Sequence, residues 1–396
     1  MARVVMCWEL GADLGHVARL KPLAEALAAR GHEVSFIVRE NLPAERLLDP
    51  ARFRWYQAPF QTEAVPAPMA PTLSFAHVMH NVGFNRPQAI LGRIHAWRNL
   101  FTSLKPDLLV FDHSPSALLA ARGLKTRRVV LGTGFGIPPD TSPWPPFDAA
   151  DAGADVRGAE ESIRANINEA LKTLGEAPIG RLADIYRAQA SLLFTLKELD
   201  HYPDRPDGDY WGPTHQETGV APAWPVKNGR RVFAYLKPFK TLSSLLDTLK
   251  QSGRPSLIYL GKGAEDLRRG YSGADMNFSD RPVDLTRAVA DADLVVCHAG
   301  HGTVSAALFA GKPLLLLPLN IEQRMLSARV AAAGAGLAAP ALAAEGMRQK
   351  FLRLLEEPGF TEVARTFKER YAALKVEDIP ERFARLVEKL LASEAL

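Results

Sequence analysis

The sequence contains little cysteine and no long hydrophobic run. Cys7 and Cys297 are its only cysteines among 396 residues, and each lies in a short apolar run that predicts a buried strand. This excludes a disulfide framework and favours a reducing compartment, so we expect a cytoplasmic protein. No apolar run approaches the roughly 20 residues of a membrane-spanning helix. The apolar run Val4–Trp8 is too short for a signal peptide and predicts a first strand.

The chain also lacks a dense block of one charge. Its net charge is +4 at pH 7, and its basic residues occur as small, scattered pairs. Proteins that bind nucleic acid carry a basic stripe or patch, so we expect no nucleic-acid partner. The mild positive charge leaves open an attraction to anionic substrates or peripheral contact with an anionic membrane surface.

Apolar runs alternate with helical patterns along the first half of the chain. Strands are predicted at Val4–Trp8, Val34–Val38 and Leu108–Phe111, with a helix at Gly15–Arg30 after the first of them. The helical pattern at Ile163–Ala190 predicts a further helix. This β-α-β rhythm indicates a parallel sheet covered by helices on both faces.

A change of composition divides the chain in two. Residues 203–228 are rich in proline and glycine and lack periodicity, which predicts a linker. A second alternating set of strands and helices follows. We therefore predict an α/β protein with two doubly wound, Rossmann-like domains facing across a cleft, at residues 1–210 and 229–378. An amphipathic helix at residues 379–396 is expected to pack back on the first domain.

The second half contains a glycine-rich turn between a strand and a helix. The apolar run Leu294–Cys297 ends in the turn His298–Thr303, and a helical stretch then runs to Gly311 before another apolar run. Such a turn places free backbone N–H groups and a helix N-terminus at the carboxyl end of a strand, where a phosphate or pyrophosphate can bind. The alternative is a purely structural β-α-β turn.

These features resemble the UDP-glycosyltransferase family, which has the GT-B fold and includes macrolide and flavonoid glycosyltransferases. The resemblance rests on four motifs in the family's order: Gly15-His16, Asp112, His298–Thr303 and Glu322-Gln323. It implies a nucleotide-sugar donor bound by the C-terminal domain and an acceptor bound by the N-terminal domain. It also implies an inverting, metal-independent transfer of a hexosyl unit that needs no cofactor besides the donor substrate.

Two residues of the first domain are candidates for the chemistry. A histidine such as His16 can take the proton of an acceptor hydroxyl, and a carboxylate such as Asp112 can hold the imidazole tautomer. The resemblance places both on the family's catalytic pair, with Gly15 and Gly134 on the acceptor side. The alternative is that each caps a helix. Neighbouring loop residues that could assist, or that lie in solvent, are Glu9, Asp13 and His113.

The donor candidates lie in the second domain. The resemblance assigns the diphosphate contact to His298. Gly300 and Gly302 allow a close backbone approach, and Thr303 can offer a hydroxyl and cap the helix. Because His298 and His301 have no accompanying cluster of Cys, Asp or Glu, we expect no metal site.

Three further donor candidates, Lys237, Glu322 and Gln323, can also be explained without a bound donor. Lys237 could neutralise the diphosphate of the leaving group, or be a solvated loop lysine. Glu322 and Gln323 could bind sugar hydroxyls, although Glu322 would also suit a helix N-terminus.

The sequence departs from the family at Ala306, where many members have a glutamate that binds the ribose. This leaves the nucleotide open and gives weight to a non-catalytic nucleotide-sugar-binding scaffold or sensor. A sugar-nucleotide epimerase shares the same architecture and is a third candidate. Aromatic residues in the N-terminal loops suggest a small apolar or lipid-like acceptor.

Overall fold

A computed structural model of the chain describes residues 1–12, 14–151, 153–214, 219–261, 263–341 and 346–393. It divides the chain into two compact units. Unit 1 comprises Met1–Thr214 and Val376–Leu396, and unit 2 comprises His215–Lys375. Among the described residues, no helix is long and apolar enough to cross a membrane.

Unit 1 is built on a parallel seven-stranded sheet with the order β3-β2-β1-β4-β5-β6-β7. Its elements are β1 (Arg3–Trp8), α1 (Gly15–Ala29), β2 (Glu33–Val38), α2 (Asn41–Leu47), β3 (Arg54–Gln57), α3 (Phe75–Met79), α4 (Pro87–Leu104), β4 (Leu108–Asp112), α5 (Pro115–Ala120), β5 (Arg127–Gly132), α6 (Val156–Thr173), β6 (Ala190–Leu193) and β7 (Asp209–Tyr210). The neighbouring strands β1 and β4 end together, since Trp8 is the register partner of Asp112.

The helix predicted at Ile163–Ala190 is wrong in its second half. The helix α6 ends at Thr173, a 3₁₀ turn follows at Leu182–Tyr186, and β6 then extends the sheet. The helix stops because Gly175 adopts a left-handed conformation with φ +70°, which is a common way for a helix to end. The apolar residues beyond it belong to other elements.

Unit 2 is built on a parallel six-stranded sheet with the order β10-β9-β8-β11-β12-β13. Its elements are β8 (Val232–Leu236), α7 (Leu242–Ser252), β9 (Ser256–Leu260), α8 (Glu265–Tyr271), β10 (Met276–Ser279), α9 (Leu285–Asp291), β11 (Leu294–Cys297), α10 (His301–Phe309), β12 (Leu314–Leu316), α11 (Ile321–Ala332), β13 (Gly336–Ala338), α12 (Met347–Glu356) and α13 (Pro358–Arg370). Both cysteines are free and buried, Cys7 in β1 and Cys297 in β11.

The first six strands of each unit have the same order in their sheet, and the predicted fold class is confirmed. In each sheet the order reverses between the first and the fourth strand of the unit, which are β1 and β4 in unit 1 and β8 and β11 in unit 2. Ligands of doubly wound proteins bind beyond the carboxyl ends of the strands at this switch point. The topology therefore marks one ligand position in each unit.

The last helix, α14 (Ile379–Ala392), packs on α1 of unit 1. Its buried face contains Ile379, Phe383 and Val387, which join the same hydrophobic core as the strands of unit 1. Arg30 at the end of α1 also bonds to Glu381 and Glu388 of α14. Burial of this apolar face explains why the tail returns to the first unit.

The docking of α14 can be tested with Phe383→Ala. The side chain is fully buried, so its loss should lower the free energy of unfolding by about 3–5 kcal/mol. Urea denaturation of the variant gives this value. The exposed Lys389 of the same helix offers the control, because Lys389→Ala should stay within about 0.5 kcal/mol of the wild type. Equal stability of the two variants would show that the tail does not belong to the core.

Candidate functional site

His16 and Asp112 meet at the switch point of unit 1. His16 lies in the first turn of α1 and Asp112 ends β4, so the two strand ends bring together residues 96 positions apart. His16 Nδ1 is 3.0 Å from Asp112 Oδ2. Because an ionised carboxylate only accepts hydrogen bonds, Nδ1 carries the proton and donates it. This leaves the lone pair of the second ring nitrogen, Nε2, available as a base.

Neither residue caps a helix. The N-cap position of α1 is Leu14 and that of α5 is Ser114. The alternative that His16 and Asp112 cap helices is therefore excluded by the backbone.

Arg19 is a third member of this group that the sequence analysis missed. Its Nη1 donates to both carboxylate oxygens of Asp112, at 3.0 and 2.9 Å. Arg19 follows His16 by three positions, so both side chains project from one face of α1. The sequence signal that could have identified Arg19 was its spacing of three positions from His16, together with the carboxylate of Asp112 at the end of a strand.

The charge of Asp112 is stabilised by these partners. Burial alone would raise the pKa of this carboxyl group, but Arg19 and then His16 more than offset it and leave the pKa below its usual value of 3.8. Asp112 is 1% exposed. It is therefore an ionised carboxylate held away from solvent behind His16.

The imidazole of His16 is also fixed by its surroundings. The Trp8 ring stacks on it, with centroids 4.9 Å apart and an interplanar angle of 17°. Gly11 lies beside Nε2, where a Cβ would come within 2.4 Å of that atom, and its φ of +89° also favours glycine. Gly11 thus keeps space open at the basic nitrogen. Nε2 itself has no hydrogen bond to a described residue.

The other loop candidates differ in their environments. His113 is partly buried with its ring centroid 6.1 Å from that of His16, and burial followed by the charge of His16 lowers its pKa to about 3. Glu9 accepts a hydrogen bond from the Ser116 backbone at 2.8 Å, and burial raises its pKa. Glu9 is therefore shielded from solvent and His113 is partly shielded. Asp13 lies outside the described residues.

The two acceptor-side glycines differ as well. Gly15 opens α1 and is exposed, and a Cβ there would meet nothing within 4 Å. Gly134 is buried, and a Cβ there would lie 2.0 Å from Asp200 Oδ1. The packing of Asp200 explains the glycine at 134 without an acceptor, and the acceptor contacts of both positions stay predictions.

In unit 2, His298 lies at the equivalent switch point, directly after β11. Its Nδ1 is 2.7 Å from the Leu317 carbonyl, so that nitrogen is the donor. Its Nε2 then accepts from the Lys237 backbone N–H at 3.0 Å. Burial lowers the pKa of His298, which favours this neutral form. His298 therefore ties together the segments that follow three strands, and its contact with a diphosphate stays a prediction.

The turn after His298 leaves open space at the N-terminus of α10. A Cβ at Gly300 or Gly302 would meet no atom within 4 Å, and neither residue has a positive φ. The fold itself does not need glycine at these two positions. The space above the exposed N–H groups suits a bound anion.

The predicted cap of this helix is wrong. Gly300 is the N-cap residue of α10, and no side chain caps it. Thr303 is buried as the third residue of the helix. The helix begins three residues earlier than a threonine cap requires.

The remaining donor candidates surround the same strand edge. Lys237 follows β8 and is exposed, while Glu322 lies in the first turn of α11. Gln323 is partly occupied, because its Oε1 accepts from the Leu319 N–H at 2.7 Å. The N-cap residue of α11 is Asn320, which accepts from the Gln323 N–H and was missed from the sequence. In the described ranges there is no group of three or more His, Cys, Asp or Glu side chains arranged to hold a metal ion.

Comparison with known proteins bears on both units. Residues 266–381 match the glycosyltransferase family 28 C-terminal domain. The chain is 27% identical to a UDP-N-acetylglucosamine--N-acetylmuramyl-(pentapeptide) pyrophosphoryl-undecaprenol N-acetylglucosamine transferase of Phenylobacterium zucineum (strain HLK1), over 95% of this chain and 97% of that relative. It is 32% identical to UDP-sugar-dependent glycosyltransferase 52 of Dictyostelium discoideum over 138 residues, which span only 8% of that relative's length.

Solved structures cover the whole chain. CalG4, the calicheamicin glycosyltransferase, has a TM-score of 0.75 at 19% identity, over 100% of this chain and 99% of that one. The spinosyn rhamnosyltransferase SpnG complexed with thymidine diphosphate has a TM-score of 0.69 at 19% identity, over 98% and 99%. The chain has the GT-B fold. The resemblance to the UDP-glycosyltransferase family is confirmed, and the comparisons support a glycosyltransferase of the GT-B type.

The role of Arg19 in this GT-B chain can be tested with Arg19→Met. The variant leaves a buried carboxylate without its main cationic partner, so stability near neutral pH should fall by about 3 kcal/mol. In the wild type the lowered pKa of Asp112 gives stability that is complete above 3.8 and lost as the pH falls through the folded-state pKa. In the variant this folded-state pKa should rise, so less stability should be lost as the pH falls below 3.8.

Urea unfolding from about pH 7 down to about pH 2 measures both effects. Lys21→Met is the control, because Lys21 lies on the same helix in a partly exposed pair with Glu25 at 3.8 Å. Such a pair contributes at most about 1 kcal/mol. A pH profile of Arg19→Met that matches the wild type would contradict the assignment.

Proposed function

We propose that the protein is an inverting glycosyltransferase that moves a hexosyl unit from a nucleoside-diphosphate sugar to a hydroxyl group of a small, apolar acceptor. The observation that carries this proposal is the hydrogen bond from His16 Nδ1 to Asp112, which leaves Nε2 free beside Gly11. As the acceptor oxygen bonds to the anomeric carbon, its proton passes to Nε2 and the bond from that carbon to the diphosphate oxygen breaks. One displacement inverts the configuration at that carbon.

Asp112 supports this step without touching the sugar. Its carboxylate stabilises the imidazolium that forms on His16 and keeps the ring in the correct tautomer. A retaining double displacement would need a carboxylate nucleophile at the anomeric carbon, whereas Asp112 is buried behind His16 and paired with Arg19. These contacts favour the single displacement.

The donor is proposed to bind unit 2 through its diphosphate. The supporting features are the open N-terminus of α10 at Gly300 and Gly302 and the nearby Lys237, which can offset the charge of the leaving group without a metal. With Ala306 in α10, recognition of the ribose must use other groups. Both uridine and thymidine diphosphate sugars are therefore candidates. SpnG complexed with thymidine diphosphate supports including the second.

The acceptor is proposed to bind unit 1 among aromatic side chains near His16. Phe75 contacts His113, Trp144 and Tyr186, with centroids 5.6 to 6.5 Å apart. This cluster suits an apolar acceptor. Within the described ranges the buried Trp144 Nε1 and Tyr186 OH have no hydrogen-bond partner, so they could bind a polar substituent. The name of the Phenylobacterium relative includes pyrophosphoryl-undecaprenol, a lipid. A lipid-like acceptor and peripheral contact with a membrane therefore stay predictions for this chain. The buried free thiols support a cytoplasmic location.

Replacement of the base tests the catalytic proposal. His16→Ala should lower the rate of nucleoside diphosphate release from uridine and thymidine diphosphate sugars by about 10²- to 10⁴-fold, because proton transfer from the attacking hydroxyl is lost. The exposed His95 on α4 offers a matched control, and His95→Ala should keep the wild-type rate. Equal turnover by the two variants would contradict the role of His16. Tight binding without turnover by the wild type would favour the sensor.

The donor turn can be tested with Gly302→Ala. The added methyl group meets no protein atom, so stability should stay equal or rise by up to about 1 kcal/mol. The methyl group would prevent a bound donor from approaching the backbone closely, so KM for the donor should rise at least about tenfold. Gly359 provides the control, since it is likewise the second residue of a helix, α13, with open space around it. If Gly302→Ala and Gly359→Ala have equal KM values, the donor does not bind at this turn.

A further inference from the structure

Unit 2 contains a basic cavity at the edge of its sheet opposite to the donor turn. The cavity has a volume of about 380 Å³ and is lined by Arg230, Asp293, Lys312, Thr361, Arg365 and Lys368, among other residues. Arg230, Asp293 and Lys312 lie before the amino ends of β8, β11 and β12. The donor turn follows the carboxyl ends of the same strands, about 15 Å away along the sheet. The two locations cannot share one small ligand.

Lys312 is the central cation of the basic cavity. It is half-buried and makes no side-chain hydrogen bond or ion pair with any described residue. Burial lowers its pKa, Asp293 and Asp291 raise it, and Lys368 and Arg365 lower it further. The two carboxylates therefore fail to balance burial and the two neighbouring cations. Besides Asp293, the acid Glu369 lines the cavity, which still holds more positive than negative groups.

The helix α13 supplies two more cations from one face. Arg365 and Lys368 are three positions apart, so both project towards the cavity. They come close because Gly311, with φ +72°, has no side chain, and a Cβ there would lie 3.4 Å from the Arg365 Cα and the Lys368 Cδ. The close packing at Gly311 positions these charges beside Lys312.

A buried hydroxyl group completes the lining. The Oγ1 of Thr361 is buried and has no hydrogen-bond partner among the residues that the structure describes. A buried unpaired hydroxyl costs free energy, and an oxyanion in the cavity would accept its proton in a hydrogen bond. The cavity thus combines unbalanced positive charge with an unused donor.

We propose that the basic cavity binds a phosphate dianion, either inorganic phosphate or the terminal phosphate of a small molecule or lipid headgroup. The volume lies within the range of small-molecule pockets and exceeds the needs of one phosphate group. Binding there is separate from sugar transfer, and its test does not depend on the proposed activity.

Titration calorimetry at constant ionic strength tests this site with inorganic phosphate, glucose 6-phosphate and vesicles containing phosphatidic acid. Lys312→Met should weaken binding at least about tenfold, because one charge-assisted hydrogen bond is lost. Lys172→Met removes the same charge from an exposed position of unit 1 and should bind as the wild type does. The strongest of the three probes identifies whether the phosphate is free, on a small molecule or on a lipid.

A second variant keeps the proposal testable if Lys312→Met does not fold. Thr361→Val should weaken phosphate binding several-fold while leaving the thermal midpoint unchanged or higher, because it removes an unpaired buried hydroxyl. Phosphate bound at the donor turn would be unaffected by Lys312→Met and by Thr361→Val. The proposal is overturned if no probe binds, or if both variants bind phosphate as Lys172→Met does.

Discussion

The buried charge of Asp112 is the interaction on which the candidate site depends. A carboxylate that is 1% exposed is stable only when it is paired. Here Arg19 supplies a permanent positive charge, and His16 supplies a hydrogen bond. The requirement to satisfy Asp112 therefore holds the imidazole in one orientation and one tautomer. The chemistry at Nε2 follows from this structural constraint, because the proton on Nδ1 cannot be given up without leaving the carboxylate short of a donor.

Unit 2 also has a histidine at its switch point, but it follows the fourth strand of the unit and has a different role. His298 has both ring nitrogens bonded to backbone groups of the segments after β8 and β12. It fixes the edge of the sheet from which the turn at Gly300–Gly302 extends. Each switch point of this chain thus has one histidine. His16 Nε2 has no hydrogen bond to a described residue, whereas both ring nitrogens of His298 are bonded. Rigid support beneath an open helix N-terminus suits the recognition of an anion.

Much of this architecture was predictable from the sequence, because β-α-β alternation, His16 at the start of a helix and Asp112 at the end of a strand are local patterns. Arg19 was missed because its role depends on a carboxylate 93 positions away. Gly11 was missed because the need for space at Nε2 appears only when the ring is placed. The end of α6 at Gly175 and the cap of α10 at Gly300 show how a single backbone conformation can override a periodic pattern. The hydrophobic periodicity of the sequence does not predict long-range contacts or local φ values.

The account claims above all that His16 and Asp112 act as one unit. A double-mutant cycle on kcat/KM with His16→Ala, Asp112→Ala and the double variant measures this directly. If the carboxylate works only through the imidazole, the double variant should be no slower than His16→Ala alone. Losses that simply add, with the double variant slower by the product of the two single effects, would show that Asp112 acts independently of His16 and would contradict the account.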